Sequence, residues 1–512
     1  MSNQKKKAIK PPSLFDALIP IIVLILLLAL AIVLYGDAGI GGPIQIALML
    51  TMLVAAAVGF KNGHSLEDMG KAAVDGISSA MGAIFILLAV GSLIGTWNMA
   101  GTIPSIVYYG IQILNPNWYY LASAIISAIL ALSIGSAWTV AGTLGIGLIG
   151  IAGALGVSPE ITAGAVISGA YFGDKMSPLS ETTNLAPAVA GTDLYTHIKG
   201  MLWTTLPSIL IALIIFGIIG YRGEVKESLD LTKALDAIQS VFHVGLLPLI
   251  PLLVVLILSF RRVPAFITIF LGALTGGIVA VFLQPDVVLT FGGGDTLSAP
   301  LAMLKGVWSA MSTGFVIESD YPALNDLFSQ GGMSSMMETV WLILSAMAFG
   351  GVMDNSGLLA RLIRSVLKAA QSDRALLIAT GLTSIGVNVI AGDQYMSIVL
   401  PGRMYREAYE KNGIAPQTLS RQIEDTGTIT SPLIPWNSCG AYMSATLGIV
   451  TMAYLPFCFF NWINVIISFL YALAGFQIKH LAPEQVPGEQ PAKAAFYGIA
   501  GQQIGPKEHE SS

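Results

Sequence analysis

The sequence predicts an all-α, polytopic membrane protein with about 11–13 transmembrane segments, built as two inverted-topology repeats with discontinuous helices. Of the 512 residues, 54% are hydrophobic and only 11% are charged, whereas soluble domains carry about 25% charged residues. Two polar, proline-containing stretches, Gly173–Asn184 and Gly427–Asn437, are each flanked by apolar sequence. Polar, broken backbone at membrane depth occurs only where it is buried in protein or lines a cavity. A pair of such stretches in corresponding halves is typical of a transporter's binding site.

The spans follow from long apolar runs such as Leu18–Tyr35, Ile44–Phe60 and Val263–Leu283. Each run is close to the roughly 20 residues that cross a bilayer core. The lysine-rich start resembles the beginning of a signal peptide, but Leu18–Tyr35 is too long and lacks a small-residue cleavage site. We therefore expect a first helix that is retained.

An internal repeat is indicated by segments that align at an offset of 256 residues. Met81–Gly101 aligns with Met337–Gly357, so that Gly95 matches Gly351 and Gly101 matches Gly357. Further blocks occur in the same order in both halves: Gly-Ile-Ser-Ser (76–79) with Gly-Met-Ser-Ser (332–335), Ser133-Ile-Gly with Ser384-Ile-Gly, Ala141-Gly-Thr with Ala391-Gly-Asp, and Ser177-Pro-Leu with Ser431-Pro-Leu. This conserved order favours a duplicated helix bundle.

The placement of basic residues predicts opposite orientations for the two halves, because basic loops stay cytoplasmic. The basic Lys61–Asp75 loop is expected inside, so the segment that begins at Gly76 runs outward. Gln284–Gln330 is rich in acidic residues and is expected outside, so the segment that begins near Gly332 runs inward. The expected domains are a cytoplasmic N-terminal tail (1–13), a first inverted repeat (14–220), an extracytoplasmic linker (221–245), a second inverted repeat (246–477) and a cytoplasmic C-terminal tail (478–512).

Asp174 is the first candidate for transport chemistry, because a carboxylate in an apolar context costs at least a few kcal/mol on insertion scales. It is expected to bind a cation or proton; the alternatives are an ion pair with Lys175 or a surface loop. Pro178 and Pro187 are expected to prevent a continuous helix and to free carbonyls between them. Hydroxyl and carbonyl oxygens there suit a small, hard cation such as Na⁺, although the hydroxyls could instead cap their own backbone.

The second half offers Asp393, which lies between two apolar runs and is expected to be buried and functional. Glu424 and Asp425 are also candidates, but could instead end a solvated cytoplasmic helix. Asp354 is expected at a helix end, where it could cap the next helix. His197 is expected at the surface.

Other chemistries find little support in the sequence. The two cysteines and the scattered histidines do not form a disulfide framework or a zinc motif. Gly145-Ile-Gly-Leu-Ile-Gly150 lies in a wholly apolar run, so it predicts close helix packing and not a nucleotide site. No Walker A lysine motif occurs, so an ion gradient is the expected driving force. We expect no enzyme, no cofactor and no nucleic-acid partner.

The stretch Gly173–Ala188 resembles the NhaC family of Na⁺/H⁺ antiporters, and so do Gly392-Asp-Gln-Tyr-Met and Glu424–Asn437. The likeness covers the membrane region from Leu14 to about Gln477. The chain departs from the family pattern at Glu181, where the family often has Asp. The resemblance implies exchange of external H⁺ for cytoplasmic Na⁺ across a bacterial-type inner (plasma) membrane.

The mechanism expected from these residues is competition between Na⁺ and H⁺ for buried carboxylates, with Asp174 and Asp393 the first candidates and with alternating access by rocking of the two halves. Na⁺ ligands are expected to be Asp174, Thr182, Asn184 and Asp393. The full set of candidate ion- or substrate-binding residues is Asp174, Ser177, Glu181, Thr182, Thr183, Asn184, Asn388, Asp393, Asp425, Thr426, Thr428, Ser431 and Asn437.

Three alternatives to simple Na⁺/H⁺ exchange stay open at this stage. The family also contains proteins that resemble Na⁺- and H⁺-coupled malate/lactate exchangers, so small organic carboxylates are a second substrate class. Helix N-termini after Pro178 and Pro432 could hold a carboxylate, assisted by Lys175 or Arg421. A passive channel and an intramembrane enzyme are more distant alternatives, and a homodimer is one alternative for the oligomeric state.

Overall fold

The computed structural model describes residues 9–35, 41–222, 231–319 and 321–481. These residues form helices and contain no strand beyond one isolated bridge between Ile414 and His480, which confirms the all-α prediction. Most of both predicted tails, the loop at 36–40 and part of the predicted linker lie outside the described residues.

The first half of the chain contains the helices α1 (Leu14–Tyr35), α2 (Pro43–Lys61), α3 (Leu66–Ser79), α4 (Met81–Met99), α5 (Thr102–Ile113), α6 (Tyr119–Ile134), α7 (Ala137–Val140), α8 (Ile146–Leu155), α9 (Pro159–Met176), α10 (Glu181–Ala190) and α11 (Leu194–Arg222). A π-helical turn, Ala141–Gly145, joins α7 to α8. A 3₁₀ turn, Pro116–Trp118, leads into α6. Polar side chains cap the N-termini of several of these helices. The Ser158 hydroxyl, for example, accepts a hydrogen bond from the Ile161 amide at the start of α9.

The linker and the second half contain α12 (Leu231–Val241), α13 (Ile250–Phe260), α14 (Ala265–Leu283), α15 (Pro285–Gly292), α16 (Ala299–Ser312), α17 (Pro322–Phe328), α18 (Met337–Asn355), α19 (Leu358–Ala369), α20 (Asp373–Ala391), α21 (Gln394–Lys411), α22 (Pro416–Ile423), α23 (Ser438–Leu447), α24 (Thr451–Tyr454) and α25 (Phe459–Ala474). A second π-helical turn, Glu424–Thr428, follows α22 directly. The remaining 3₁₀ turns are Leu247–Leu249, Met333–Met336, Ser431–Leu433 and Leu455–Phe457.

Among the described residues, nine helices are long and apolar enough to cross a membrane, or ten if the bent pair Ser438–Leu447 and Thr451–Phe457 is one span. Two shorter apolar helices, Leu247–Phe260 and Phe459–Ala474, raise the number of apolar segments to twelve. The expected 11–13 segments are therefore reached only when short and bent helices are counted. The protein is a multi-pass membrane protein.

The two halves pack against each other through helices near their starts, which we call the leading helices. The leading helices α2 and α3 of the first half pack on α18, and the leading helices α14 and α16 of the second half pack on α4. At Gly351 of α18, an added Cβ would overlap the carbonyl oxygen of Ala72 in α3; at Gly95 of α4, it would overlap that of Ala310 in α16. Because Gly95 and Gly351 are the residues that align in the sequence, the same close backbone contact is made twice.

Several elements agree in length between the halves. Helices α4 and α18 each have 19 residues, α5 and α19 each have 12, and α10 and α23 each have 10. Gly101 and Gly357 both precede a helix in a left-handed conformation, with φ of 74° and 71°. The sequence match between Ser133-Ile-Gly and Ser384-Ile-Gly does not correspond in the structure. Gly135 follows the end of α6, whereas Gly386 lies inside α20, which ends before Gly392. The opposite orientation of the halves stays a prediction.

Replacing Gly351 tests the packing of α18 on α3. Gly351→Ala should lower the melting temperature, because its methyl group would overlap the Ala72 carbonyl and overpacking of this kind costs about 1–3 kcal/mol. Thermal unfolding of the purified protein in detergent measures the change. Gly386→Ala is the matched control, since no atom lies within 4 Å of the added Cβ; equal melting temperatures for the two variants would contradict the prediction.

Candidate functional site

The first polar stretch interrupts the chain between α9 and α10. Helix α9 ends at Met176, and α10 begins at Glu181, where the Ser180 hydroxyl accepts a hydrogen bond from the Thr183 amide (3.4 Å). Pro178 lies in the break, as predicted, but Pro187 lies inside α10. The prediction that both prolines prevent a helix is therefore wrong for Pro187, because the chain continues helically past the missing donor to Ala190.

In the second polar stretch, the α-helix passes into a wider π-helical turn before it ends. Helix α22 passes into the π-helical turn Glu424–Thr428 and then the 3₁₀ turn Ser431–Leu433. Helix α23 begins only at Ser438, where the Asn437 side chain accepts from the Cys439 amide (3.0 Å). Single π-turns inside helices are frequent at functional sites.

Asparagine amides satisfy the carbonyl groups of this irregular segment. Asn388 Nδ2 donates to the Gly427 carbonyl (2.5 Å), Asn461 Nδ2 to Ile429 (2.8 Å) and Asn464 Nδ2 to Asp425 (3.2 Å). All three side chains are fully buried. They supply donors in a buried region, where an unsatisfied carbonyl would be costly.

A cavity of about 480 Å³ lies between the two breaks. Asp174 from the end of α9 and Asp393 from the start of α21 both line it, and both are largely buried, with 9% and 6% of their surface exposed. Asp174 Oδ2 accepts a hydrogen bond from the Ala137 amide (3.2 Å), and Asp393 Oδ1 accepts from the Met396 amide (2.9 Å). The structure thus brings together the two carboxylates that the sequence ranked first, one from each half.

Other residues contribute polar and exposed side chains to the lining of the cavity. Thr139, Ser180, Thr182, Gln394, Ser438 and Cys439 contribute polar groups to its lining. Glu181 accepts a hydrogen bond from the Tyr395 hydroxyl, and both side chains are exposed at the cavity. Ser79 and Arg262, which precede α4 and α14, also line it.

Lys175 and Asp425 form a fully buried ion pair that joins the two breaks. The Lys175 ammonium lies 2.6 Å from Asp425 Oδ1, and neither side chain has any exposed surface. Thr204 and Asn464 donate to the same oxygen. The alternative of an Asp174–Lys175 pair is therefore wrong, and so is that of a solvated helix end at Glu424 and Asp425, because both carboxylates are fully buried.

Several predicted residues support the backbone and do not face the cavity. Thr183 donates to the Lys175 carbonyl (3.0 Å), Thr426 to Gln422 (2.6 Å) and Ser431 to Thr428 (2.7 Å). Ser177 accepts from the Leu179 amide, and Asn437 donates to the Asn388 side chain. Asn184, expected to bind Na⁺, is exposed and donates to the Ser180 carbonyl (2.6 Å); it does not line the cavity.

Three further expectations differ from the structure. His197 is fully buried and hydrogen-bonds Ser420 (2.8 Å), so the surface prediction is wrong. Asp354 lies at the end of α18, as predicted, but it does not cap the next helix, because α19 begins at Leu358 after Gly357 without a side-chain cap. Neither Lys175 nor Arg421 lines the cavity, because Lys175 pairs with Asp425 and Arg421 donates to the Gln477 carbonyl (3.2 Å).

The predicted set of ion- or substrate-binding residues does not include Glu424, Lys175, Gln394 or Tyr395. Lys175 was visible as a charge within the first polar stretch, but its partner Asp425 lies 250 residues away along the chain. Gln394 follows Asp393 directly and accepts hydrogen bonds from Ser431 and Cys439. Within the described ranges, no three histidine, cysteine, aspartate or glutamate side chains gather as a metal site.

Comparisons with known proteins identify the relatives of this chain. A model described as the Na⁺/H⁺ antiporter family matches residues 169–476. The Na(+)/H(+) antiporter NhaC of Alkalihalophilus pseudofirmus is 38% identical over 431 residues, which cover 84% of this chain and 90% of that protein. The Na(+)/H(+) antiporter NhaC of Bacillus subtilis is 36% identical, covering 83% and 91%. The malate-2H(+)/Na(+)-lactate antiporter of Bacillus subtilis is 32% identical, covering 94% and 99%.

The buried ion pair predicts a strong dependence of stability on Lys175. Lys175→Met should destabilise the protein by about 3–5 kcal/mol, because Asp425 would stay buried without its cation. The double variant Lys175→Met/Asp425→Leu should recover much of this loss, since apolar replacements of a buried pair are often neutral. Melting temperatures in detergent provide the measurement.

The control for this experiment is Lys71→Met, whose ion pair with Glu67 is exposed on both sides and should affect the melting temperature little. A double variant no more stable than Lys175→Met alone would show that the pair is not the source of the effect.

Proposed function

The chain belongs to the Na⁺/H⁺ antiporter family, and on this basis we propose that it is a secondary active transporter that exchanges cytoplasmic Na⁺ for external H⁺. The observation that carries the mechanism is the shared cavity, because it places Asp174 and Asp393 against one volume between the two helix breaks. We propose the plasma membrane as its location.

Competition at these carboxylates would couple the two ions. A carboxylate binds either a proton or Na⁺ through the same oxygens, so occupation by one excludes the other. Each aspartate already receives one backbone hydrogen bond, and at least one face is open to the cavity. Exchange follows if the cavity changes sides readily only when a carboxylate is occupied, with the halves moving around the central site.

The cavity opens, in this proposal, to the cytoplasm. Ser79, the last residue of α3, and Arg262, in the loop that precedes α14, line its mouth. Basic residues lie close to both in the sequence, Lys61 and Lys71 before Ser79 and Arg261 beside Arg262, which favours a cytoplasmic position. The described conformation would then be inward-facing and ready to receive cytoplasmic Na⁺.

A second candidate function is exchange of a small organic carboxylate together with these ions. The cavity of about 480 Å³ is much larger than a single cation needs and lies in the range of small-molecule pockets. Arg262 supplies a cationic group at its mouth. The similar malate-2H(+)/Na(+)-lactate antiporter supports this candidate. The proposed helix N-termini do not, because Ser180 and Asn437 cap α10 and α23 with their own side chains.

Replacing the two aspartates tests the main proposal. In proteoliposomes, Asp174→Asn and Asp393→Asn should each reduce Na⁺-dependent proton flux by roughly tenfold or more, the factor that corresponds to about 1.4 kcal/mol of lost binding. Asp354→Asn should keep the wild-type rate, because this carboxylate does not line the cavity. In the wild type, the Na⁺ concentration for half-maximal flux should rise as pH falls, since protons compete for the carboxylates.

The same assay separates the two candidate functions. Proton flux with NaCl alone supports simple exchange, whereas flux that requires malate or lactate supports the organic-anion candidate. Na⁺ affinity that does not change with pH would contradict competition at the carboxylates.

Cysteine accessibility tests the direction in which the cavity opens. Ser79→Cys should react with a membrane-impermeant maleimide in inside-out vesicles and stay protected in right-side-out vesicles. Thr296→Cys, in the exposed loop between α15 and α16, should show the reverse pattern. The native cysteines are buried, so the unmodified chain measures the background. Labelling of Ser79→Cys from the outer side alone would contradict the proposed orientation.

A further inference from the structure

Glu424 is a buried carboxylate that the cavity does not reach. It has no exposed surface and is absent from the lining of the cavity. Neither of its carboxylate oxygens has a hydrogen-bond partner. A buried carboxylate without donors is costly, because burial removes its hydration and no donor replaces it. Binding of a proton or a cation would remove this cost.

Oxygen atoms without donors are concentrated around this residue. The hydroxyl of Thr428, one turn further along the same π-helical segment, is buried and also has no partner. It lies beside the Glu424 carboxylate, as does the Thr182 hydroxyl from α10. Neither hydroxyl meets the distance and angle of a hydrogen bond to it.

Three further oxygen atoms in and around this segment lack a hydrogen-bond donor. They are Asp425 Oδ2 and the side-chain oxygens of Asn461 and Asn464, all of which are buried. The asparagine amides point the other way, into the carbonyls of Ile429 and Asp425. The buried donors Arg421 Nε and Gln422 Nε2 also lack partners, but unpaired oxygen atoms outnumber them around the turn, and oxygen atoms are the ligands of hard cations.

The nearby cation of the protein does not remove this excess. Lys175 lies close enough to Glu424 to interact electrostatically, but its ammonium group is 2.6 Å from Asp425 Oδ1 and donates there. Asp425 therefore has a direct cationic partner, whereas Glu424 has none.

We propose that Glu424, Thr428 and Thr182 form an internal binding site for a dehydrated Na⁺ ion, deeper in the protein than the carboxylates of the open cavity. Thr182 connects the cavity with the proposed inner site, because it lines the cavity and lies beside Glu424. An ion that enters the cavity would thus pass from Asp174 to Glu424 by way of this hydroxyl. The inference rests on the proposed function for the identity of the ion, Na⁺, and on the geometry for its place.

Binding of Na⁺ to the purified full-length protein tests the site directly. Isothermal titration calorimetry with NaCl, against choline chloride, should give a dissociation constant for wild type that rises about 10- to 100-fold in Glu424→Gln, a loss typical of altered metal sites. Asp354→Asn should bind Na⁺ like wild type, because this carboxylate lies outside both the cavity and the proposed inner site. Wild-type affinity in Glu424→Gln would overturn the proposal.

A second pair of variants keeps the test valid if Glu424→Gln does not fold. Thr428→Val removes the hydroxyl with little change in volume and should weaken Na⁺ binding several-fold, whereas Thr428→Ser should retain it. Wild-type affinity in Thr428→Val would also overturn the proposal. Failure of the proposed function looks different: wild type would bind Na⁺ with the same dependence on Glu424 and Thr428, yet show no Na⁺-dependent proton flux in proteoliposomes.

Discussion

The need to satisfy backbone polar groups at membrane depth governs the centre of this protein. Unbroken helices satisfy their own groups, but regular helix is interrupted after α9 and after α22. Side-chain hydrogen bonds stabilise both breaks. Ser180 and Asn437 cap the helices that follow, Asn388 and Asn464 donate to carbonyls of the π-helical turn, and Asn461 donates to the Ile429 carbonyl just after it. Without these donors the polar breaks would not be stable in a dry interior.

The breaks in turn allow acidic groups with different environments to lie near one another. Asp425 is compensated by Lys175, and this pair ties the end of α9 to the π-helical turn. Asp174 and Asp393 each accept a backbone hydrogen bond and face the cavity. Glu424 has neither a donor nor access to the cavity. The same kind of side chain therefore serves as a structural anchor, lines the cavity and, in our proposal, forms part of an inner cation site.

The packing of the two halves suggests how such a site could be reached from either side. The leading helices of each half cover the other half, through close contacts at Gly95 and Gly351. The cavity is lined by residues from both halves, including Ser79 at the end of α3 and several residues between the end of α13 and the start of α14. Movement of the central helices against these covering helices would change the exposure of Asp174 and Asp393 while the breaks stay intact.

Much of this architecture was determined by the sequence itself. Apolar runs predict the spanning helices because a bilayer core requires about 20 apolar residues, and the two proline-containing stretches mark the breaks because polar residues are costly there. Asp174 and Asp393 stood out for the same local reason. Only the tertiary structure decided which charges meet. The Lys175–Asp425 pair, the buried His197 and the exposed Asn184 depend on contacts between segments far apart in the chain, and burial is a property of those contacts and not of local sequence.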